Sequence, residues 1–428
     1  MGTGLMFLSM FGLLLLGVPI GVSLACSVLI LLTVNPLTTT EFVAQALYSG
    51  LDSFTLISLP FFMIAGTIME AGGISKRIVN AANSIVGNIT GSLGMVTIIA
   101  CMFFGAVSGS AIATVAAIGG IMLPAMVKSG YDKVYATALV AIAGSLGMII
   151  PPSTPMVVYG VTNNVSIGDL FMAGFLPGLL IGGALMVVNY VICKRKGYGV
   201  GIKHKVSGKN IGKAFWDAKW ALFMPLIILG GIYSGIVTPT EASVVACVYG
   251  ILVGLLVYKE LTFKKLWQMF KDNTCFIGAM LFTFAPAGAL SSIFAYLKVP
   301  DMITRFFTGI TTNQQLILLM MLVLLLIVGM FLETTPSIIL FSPILYPVAT
   351  SVGVDPVHFG IFVVVALAMG LVTPPVAMDL FVAQSMTGIS MLKISKKAVP
   401  FLLAMFTAVL LITLIPEISM VLVKLFAK

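Results

Sequence analysis

Apolar residues fill this chain in long blocks separated by short polar links, and a block of roughly 20 apolar residues is what a helix needs to cross a bilayer. The blocks are 4–33, 54–71, 92–127, 131–163, 170–193, 219–236, 239–258, 274–297, 315–350, 355–386 and 398–424. Two of them, 92–127 and 315–350, are long enough to enter the membrane and turn back. Each has a polar break near its centre, Ser108-Gly109-Ser110 in one and Glu333-Thr334-Thr335-Pro336 in the other. The pattern predicts a re-entrant helical hairpin for both. Blocks 131–163 and 355–386 carry Pro151-Pro152 and Pro374-Pro375 instead. Proline removes a backbone donor and clashes with the preceding turn, so both are predicted to be broken helices with carbonyls freed in mid-membrane. Such backbone is tolerated only inside protein or beside a watery cavity.

Hairpin and broken helix occur twice. Setting residues 124–153 on 347–376 without a gap matches Pro124, Gly130, Asp132, Val134, Val140, Ala143, Gly147, Pro151 and Pro152 with identical residues. Ala65-Gly66 against Ala287-Gly288 extends the trace backwards at an offset shorter by one. Amphipathic stretches 73–86 and 298–310 then fall at equivalent places and are expected to lie in the interface. The predicted organisation is a first repeat over 1–194, a basic loop and connector helix over 195–236, and a second repeat over 237–428.

Composition agrees with a polytopic all-α membrane protein. Of the residues, 60% are hydrophobic and 9% charged, and mean hydropathy is +1.15. The N-terminal run has no basic leader and is too long for a cleaved signal, so it is expected to stay as a helix. The net charge of +9 does not point to nucleic acid, because its placement is that of membrane topology. With the basic stretch 194–213 on the cytoplasmic side, 19 of the 23 Lys and Arg fall on that side, as the positive-inside bias requires. Only Lys298, Arg305, Lys424 and Lys428 fall outside. This holds only if both hairpins return to the side they entered from. The odd connector at 219–236 then gives the two repeats opposite orientation, the arrangement of secondary transporters with midplane sites.

The candidate chemistry sits at the breaks. A hairpin tip ends one half-helix, whose free carbonyls suit Na⁺, and starts another, whose free N–H groups suit a carboxylate. Ser108, Ser110, Gly144, Gly147 and Pro151 are the first predicted Na⁺ set, and Glu333, Thr335, Gly370, Thr373 and Pro374 the second. Small residues also serve plain helix packing in membranes, and that alternative stands beside the ion reading. Ser153, Thr154, Glu333 and Asp379 are candidates for the substrate. A carboxylate inside a membrane is expensive and usually functional; a capping role at the tip is the plainer alternative for Glu333. Asp132, Asp355 and Glu241 read as helix caps, and Trp216, Trp220 and Trp267 as interfacial anchors. Five scattered cysteines and two histidines offer neither a disulfide framework nor a metal centre. No P-loop, G-x-S-x-G or H-E-x-x-H spacing supports ATP-driven or hydrolytic chemistry, and no enzyme is expected.

Several stretches resemble one family. LPFFMIAGTIMEAGGISKRIV (59–79), AVSGSAIATVAAIGGIMLP (106–124), IIPPSTPMVVYGV (149–161), LFMAGFLPGLL (170–180), TPTEASVVACVYG (238–250), VGMFLETTPSIILFSPILYP (328–347) and GLVTPPVAMDLFVAQ (370–384) are similar to the large membrane subunit of TRAP transporters. The resemblance implies an elevator that carries hairpins and broken helices past a static scaffold. It implies Na⁺-driven uptake of an organic acid delivered by a periplasmic substrate-binding protein, and a small four-helix membrane subunit, not fused here, clasping the scaffold in the bacterial inner membrane. Within the family the likeness is to the sialic-acid branch. The family often has Asp where this chain has Glu333, and many members carry an amide where it has Asp379. A stand-alone divalent-anion/Na⁺ symporter and a C4-dicarboxylate TRAP transporter are the neighbouring alternatives, with a channel or a membrane enzyme further off.

Overall fold

The computed structural model describes residues 2–34, 39–86, 89–199 and 208–426, and among these there are helices and no strands. Eight of the helices are long and apolar enough to cross a membrane. The chain opens with α1 (Gly2–Leu15) and α2 (Ile20–Val34), which pack on each other. The single span expected at 4–33 is therefore two helices. Gly17 takes a left-handed φ of +80°, Val18 N–H bonds back to the Leu13 carbonyl, and Pro19 cannot extend the helix. This glycine-then-proline ending is a common helix stop.

The next helix, α3 (Thr40–Ser49), lies in a stretch too polar to count as a span. Thr39 caps it by accepting from Phe42 N–H. A 3₁₀ turn at Phe54–Ile57 leads into α4 (Ser58–Ala71). The expected interfacial arm follows as α5 (Ile74–Val86), with Ile74, Ile78, Ala81 and Ala82 buried on one face. Then come α6 (Ser92–Ser108) and α7 (Ala111–Lys128), which pack together as the first hairpin. The first broken helix is α8 (Lys133–Gly144), a 3₁₀ turn at Ser145–Met148, and α9 (Thr154–Asn163). Asp132 caps α8 through Tyr135 N–H at 2.8 Å. The half closes with α10 (Ile167–Lys196).

After residues 200–207, which are outside the described set and hold part of the expected basic loop, α11 (Gly208–Tyr233) starts well before the expected 219. It leads to α12 (Pro239–Leu252), where Thr238 and Glu241 form a reciprocal capping box, Thr238 N–H donating to Glu241 at 2.7 Å. The span expected at 274–297 is the 34-residue α13 (Phe263–Tyr296), and the second arm is α14 (Val299–Ile310). The second hairpin is α15 (Gln314–Phe331) and α16 (Thr334–Ser351), and the second broken helix is α17 (Pro356–Gly370) and α18 (Met378–Thr387). Asp355 caps α17 through the N–H groups of Val357 and His358. The expected last span, 398–424, is also two helices, α19 (Met391–Leu414) and α20 (Glu417–Phe426), divided at Pro416. Both failed spans broke at a proline inside an unbroken apolar run, where hydropathy alone is blind.

The repeat is visible in the element boundaries: α7 and α16, 223 residues apart, match end for end. The halves interlock. Half-helix α9 packs on the second hairpin's α16, and α18 packs on α7 and α8 of the first half. Three hydrogen bonds pin this exchange: Tyr159 to the Pro356 carbonyl at 2.9 Å, Asn163 to Ser342 at 2.8 Å, and Lys133 to the Thr387 carbonyl at 3.0 Å. At the centre, α17 is buried on every side, which explains why it is apolar all round.

A second group of helices flanks this core. In it α4 packs on α12, α2 on α13, and α5 on α11. Arg77 on α5 ties it off, bonding Glu260 and the Gly73 carbonyl at 2.7 Å each and lying over the Tyr258 ring.

Candidate functional site

The first tip is shaped by Gly109, whose left-handed φ of +62° ends α6, and by Ser110, whose side chain accepts from Ala113 N–H to start α7. Ser110's carbonyl points to the same spot as two hydroxyls. It accepts from Thr114 at 2.7 Å and from Ser108 at 3.4 Å, and the two hydroxyls stand 3.2 Å apart. Gly147 in the facing break completes the wall: a methyl there would run into the Thr114 hydroxyl and come to 2.6 Å from the Ser110 carbonyl. Of the first predicted set, Ser108, Ser110 and Gly147 are therefore together. Gly144 packs against Val115 instead, and Pro151 is buried in the break. Thr114 was missed, although it lies one turn beyond Ser110 on the same helical face.

The tip is docked on the break by Thr154 N–H, which donates to the Gly109 carbonyl at 3.2 Å. Ser153 turns away, bonding the Met148 carbonyl and capping α9 through Met156 N–H. It is not part of the wall of the cavity between the tips, whereas Thr154 is.

The second tip has the same construction with different contents. Glu333 holds the N-cap position of α16, yet its side chain makes no capping bond. Its carbonyl accepts from the Ser337 hydroxyl at 2.7 Å. The break docks on the hairpin through Val376 N–H and the Met330 carbonyl at 3.2 Å. Gly370 packs directly on Gly329, and the Thr373 hydroxyl is spent on the Met369 carbonyl at 2.7 Å. Thr335 faces the cavities with Glu333, while Pro374 sits in the partly exposed break. Among the described residues no hydrogen bond joins the side-chain oxygens of Glu333, Thr335 and Thr373, in contrast to Ser108 and Thr114 at the first tip.

Both tips meet at one cavity of about 290 Å³. Ser108, Ser110 and Thr154 line it from the first half, and Glu333, Thr334 and Thr335 from the second. Its far wall is the flanking helix group: Thr67 on α4, and Asn273, Phe276 and Met280 on α13. Asn273 is held by Thr67 at 3.2 Å and by its own helix. This scaffold pair went unnoticed in the sequence, since a lone Asn beside an apolar run carries no periodic signal. A second cavity, about 480 Å³, lies between α2, α13 and α16, and Glu333 and Thr335 line it too. Glu333 is therefore at the wall between two cavities. Asp379 is on neither wall; it is fully buried.

A family model described as "Tripartite ATP-independent periplasmic transporter, DctM component" matches residues 7–418. The chain belongs to that family. It is a TRAP transporter large permease, a transporter and not an enzyme. It is 42% identical over 410 residues to the isethionate TRAP transporter permease protein DctMQ of Oleidesulfovibrio alaskensis, covering 95% of this chain and 64% of that protein's length. It is 38% identical to the sialic acid TRAP transporter large permease protein SiaM of Vibrio cholerae, over 97% of each chain. It is 35% identical to the C4-dicarboxylate TRAP transporter large permease protein DctM of the same organism, over 98% of this chain and 97% of that one. The fold is similar to the crystal structure of the Alcanivorax borkumensis YdaH transporter, with a TM-score of 0.65 over 87% of this chain and 12% identity. That likeness speaks to the fold alone.

Proposed function

We propose that this DctM-family chain is the transport subunit of a Na⁺-coupled importer of small organic acids in the bacterial inner membrane. The observation that carries the reading is the single cavity bounded by both hairpin tips on one side and by scaffold helices on the other. The acid's carboxylate or sulfonate would sit between the tips, where α7 and α16 begin and offer free N–H groups. Coupling Na⁺ would be held on the first tip by the Ser110 carbonyl with the Ser108 and Thr114 hydroxyls. On the second it would be held near Glu333 and Thr335. Hard oxygen donors of this kind suit a hard cation. The interlocked hairpins and broken helices would move together as an elevator, because three cross-repeat hydrogen bonds bind them to each other. A small membrane subunit and a periplasmic substrate-binding protein would complete the transporter.

The relatives' printed substrates, isethionate, sialic acid and C4-dicarboxylates, share only an anionic head group on a small polar body. Sialic acid (N-acetylneuraminate), the expectation from the sequence, is one member of that class. The test is uptake by proteoliposomes holding this chain and its small subunit. Labelled isethionate, N-acetylneuraminate and succinate are offered with and without an inward Na⁺ gradient and the binding protein. Uptake of one of them only with both is the expected result. Uptake without the binding protein would replace the reading with a stand-alone symporter, and uptake indifferent to Na⁺ would remove the coupling.

A further inference from the structure

The scaffold wall of the cavity between the tips carries one polar group whose direction is fixed. Asn273 of α13 lines the cavity, and its amide nitrogen donates to two acceptors, the Met269 carbonyl at 2.8 Å and the Thr67 hydroxyl at 3.2 Å. A carbonyl can only accept, so Met269 decides which end of the amide is nitrogen. Thr67 gives its own hydrogen to the Ile64 carbonyl at 2.9 Å, which leaves it an acceptor toward Asn273. The amide is thus held at two points and cannot turn over without breaking both bonds. Its oxygen accepts no hydrogen bond among the described residues. Around it the scaffold presents Phe276 and Met280 on the same face of α13, and Met63 one turn before Thr67 on α4.

The two sides of the cavity therefore differ in what they ask of a ligand. At the tips, the first turns of α7 and α16 offer N–H groups to an acid. The hydroxyls of Thr154 and Thr335 can turn to donate or accept, so they select nothing by direction. Across from them the Asn273 oxygen only accepts. No Lys, Arg or His is among the described residues that line the cavity, and Glu333 is the one ionisable residue on its wall.

We infer that Asn273 is a specificity-determining residue, and that the substrate is a monoanion with a hydrogen-bond donor, a hydroxyl or an amide N–H, at the end away from its acid group. The acid lies at the tips and the donor meets the Asn273 oxygen. A dicarboxylate would set its second carboxylate against an acceptor with no cation beside it, and a charge confined without a partner is costly. Of the relatives' substrates, isethionate and sialic acid pair a single acid with hydroxyls, whereas a C4-dicarboxylate such as succinate has no donor to give. The inference names the substrate class of the proposed transport site and rests on that reading.

The test is binding to the purified full chain in detergent with saturating Na⁺, read as the rise of the unfolding midpoint during titration. The binding protein is left out, so its own selectivity does not enter. Isethionate is compared with ethanesulfonate, which lacks only the hydroxyl, and with succinate, in wild type, Asn273→Leu and Thr67→Val. Wild type is expected to bind isethionate at least tenfold more tightly than either of the others. Asn273→Leu is expected to lose about tenfold for isethionate, the worth of one hydrogen bond, and nothing for ethanesulfonate, which also reports that the variant is folded. Thr67→Val frees the amide to turn and should fall between. For N-acetylneuraminate the same tenfold loss in Asn273→Leu is expected, and no loss there overturns the role of Asn273. Wild type that binds ethanesulfonate or succinate as tightly as isethionate overturns the substrate class. Asn273→Leu that keeps the wild-type preference, or that loses both sulfonates equally, overturns the residue's role. If wild type binds none of the four acids, it is the reading of this cavity as the transport site that fails.

Discussion

The two halves of the transport core share a backbone and differ in charge. Residue 110 is Ser and residue 333, at the same position of the repeat, is Glu; both are N-caps of the second hairpin helix. Ser110 uses its side chain to cap the helix. Glu333 leaves that job undone and presents its carboxylate to two cavities. Likewise Met156 of α9 is matched by Asp379 of α18. The repeat fixes where the chain breaks, and at these two matched positions one half has a neutral serine and methionine where the other has acids. The comparison teaches that the fold asks only for a cap and a break at these places, so an acid there answers to something other than folding.

The largest expected effect follows from that. Glu333→Gln should leave expression and thermal stability unchanged, since the side chain makes no cap, while uptake falls roughly 100-fold, as loss of a charged contact worth up to about 3 kcal/mol would give. Uptake above a tenth of wild type would reduce Glu333 to a bystander at the tip and erase the contrast between the halves.

Packing should show the opposite, a symmetric response. In the first half a methyl on Gly105 would come to 2.5 Å from Gly147 Cα, and in the second a methyl on Gly370 would come to 2.6 Å from Gly329 Cα. In each repeat, then, the hairpin's entering helix touches the broken helix backbone to backbone. Gly147→Val and Gly370→Val should both destabilise, by about 3 kcal/mol, the upper end for an overpacked core, and to a similar degree. Thermal unfolding in detergent measures this. A variant that melts with wild type would show that its glycine serves an ion or a substrate rather than the packing.

How far the sequence carried depended on which interaction writes a pattern. The breaks at 109, 151–152, 332–333 and 374–375 were legible because Gly, Ser, Glu and Pro-Pro interrupt apolar runs where a membrane helix has no use for them. The repeat and the caps at Asp132, Asp355 and Glu241 were legible for the same reason. What failed were turns that stay apolar, at Leu16–Pro19 and Ile415–Pro416, and helices such as α3 that begin in polar sequence. Of the residues named at the breaks, Ser108, Ser110, Thr154, Glu333 and Thr335 line the cavity and Ser153 and Gly144 do not, while residues brought in by packing carried no signal. Thr114 and Asn273 matter because of what faces them across the fold, and no local spacing encodes that.

Thr114 also allows the finest division of the first tip, between backbone and side chain. Three oxygens meet there, and two of them belong to hydroxyls that depend on the third, the Ser110 carbonyl. Thr114→Val keeps the shape but removes a hydroxyl, leaving the carbonyl and Ser108 with one partner fewer. A loss of about 1.4 kcal/mol, within the usual range for a buried hydrogen-bonded group, raises the Na⁺ concentration for half-maximal uptake about tenfold. Ser110→Ala removes only a long capping bond, 3.4 Å to Ala113 N–H. Caps of this kind are worth about 0.5 kcal/mol at the weak end, so the shift should stay within about threefold. The order matters more than either size. If Ser110→Ala costs more Na⁺ affinity than Thr114→Val, the Ser110 side chain rather than its carbonyl holds the ion, and the first tip works as the second does, through the residue at the cap.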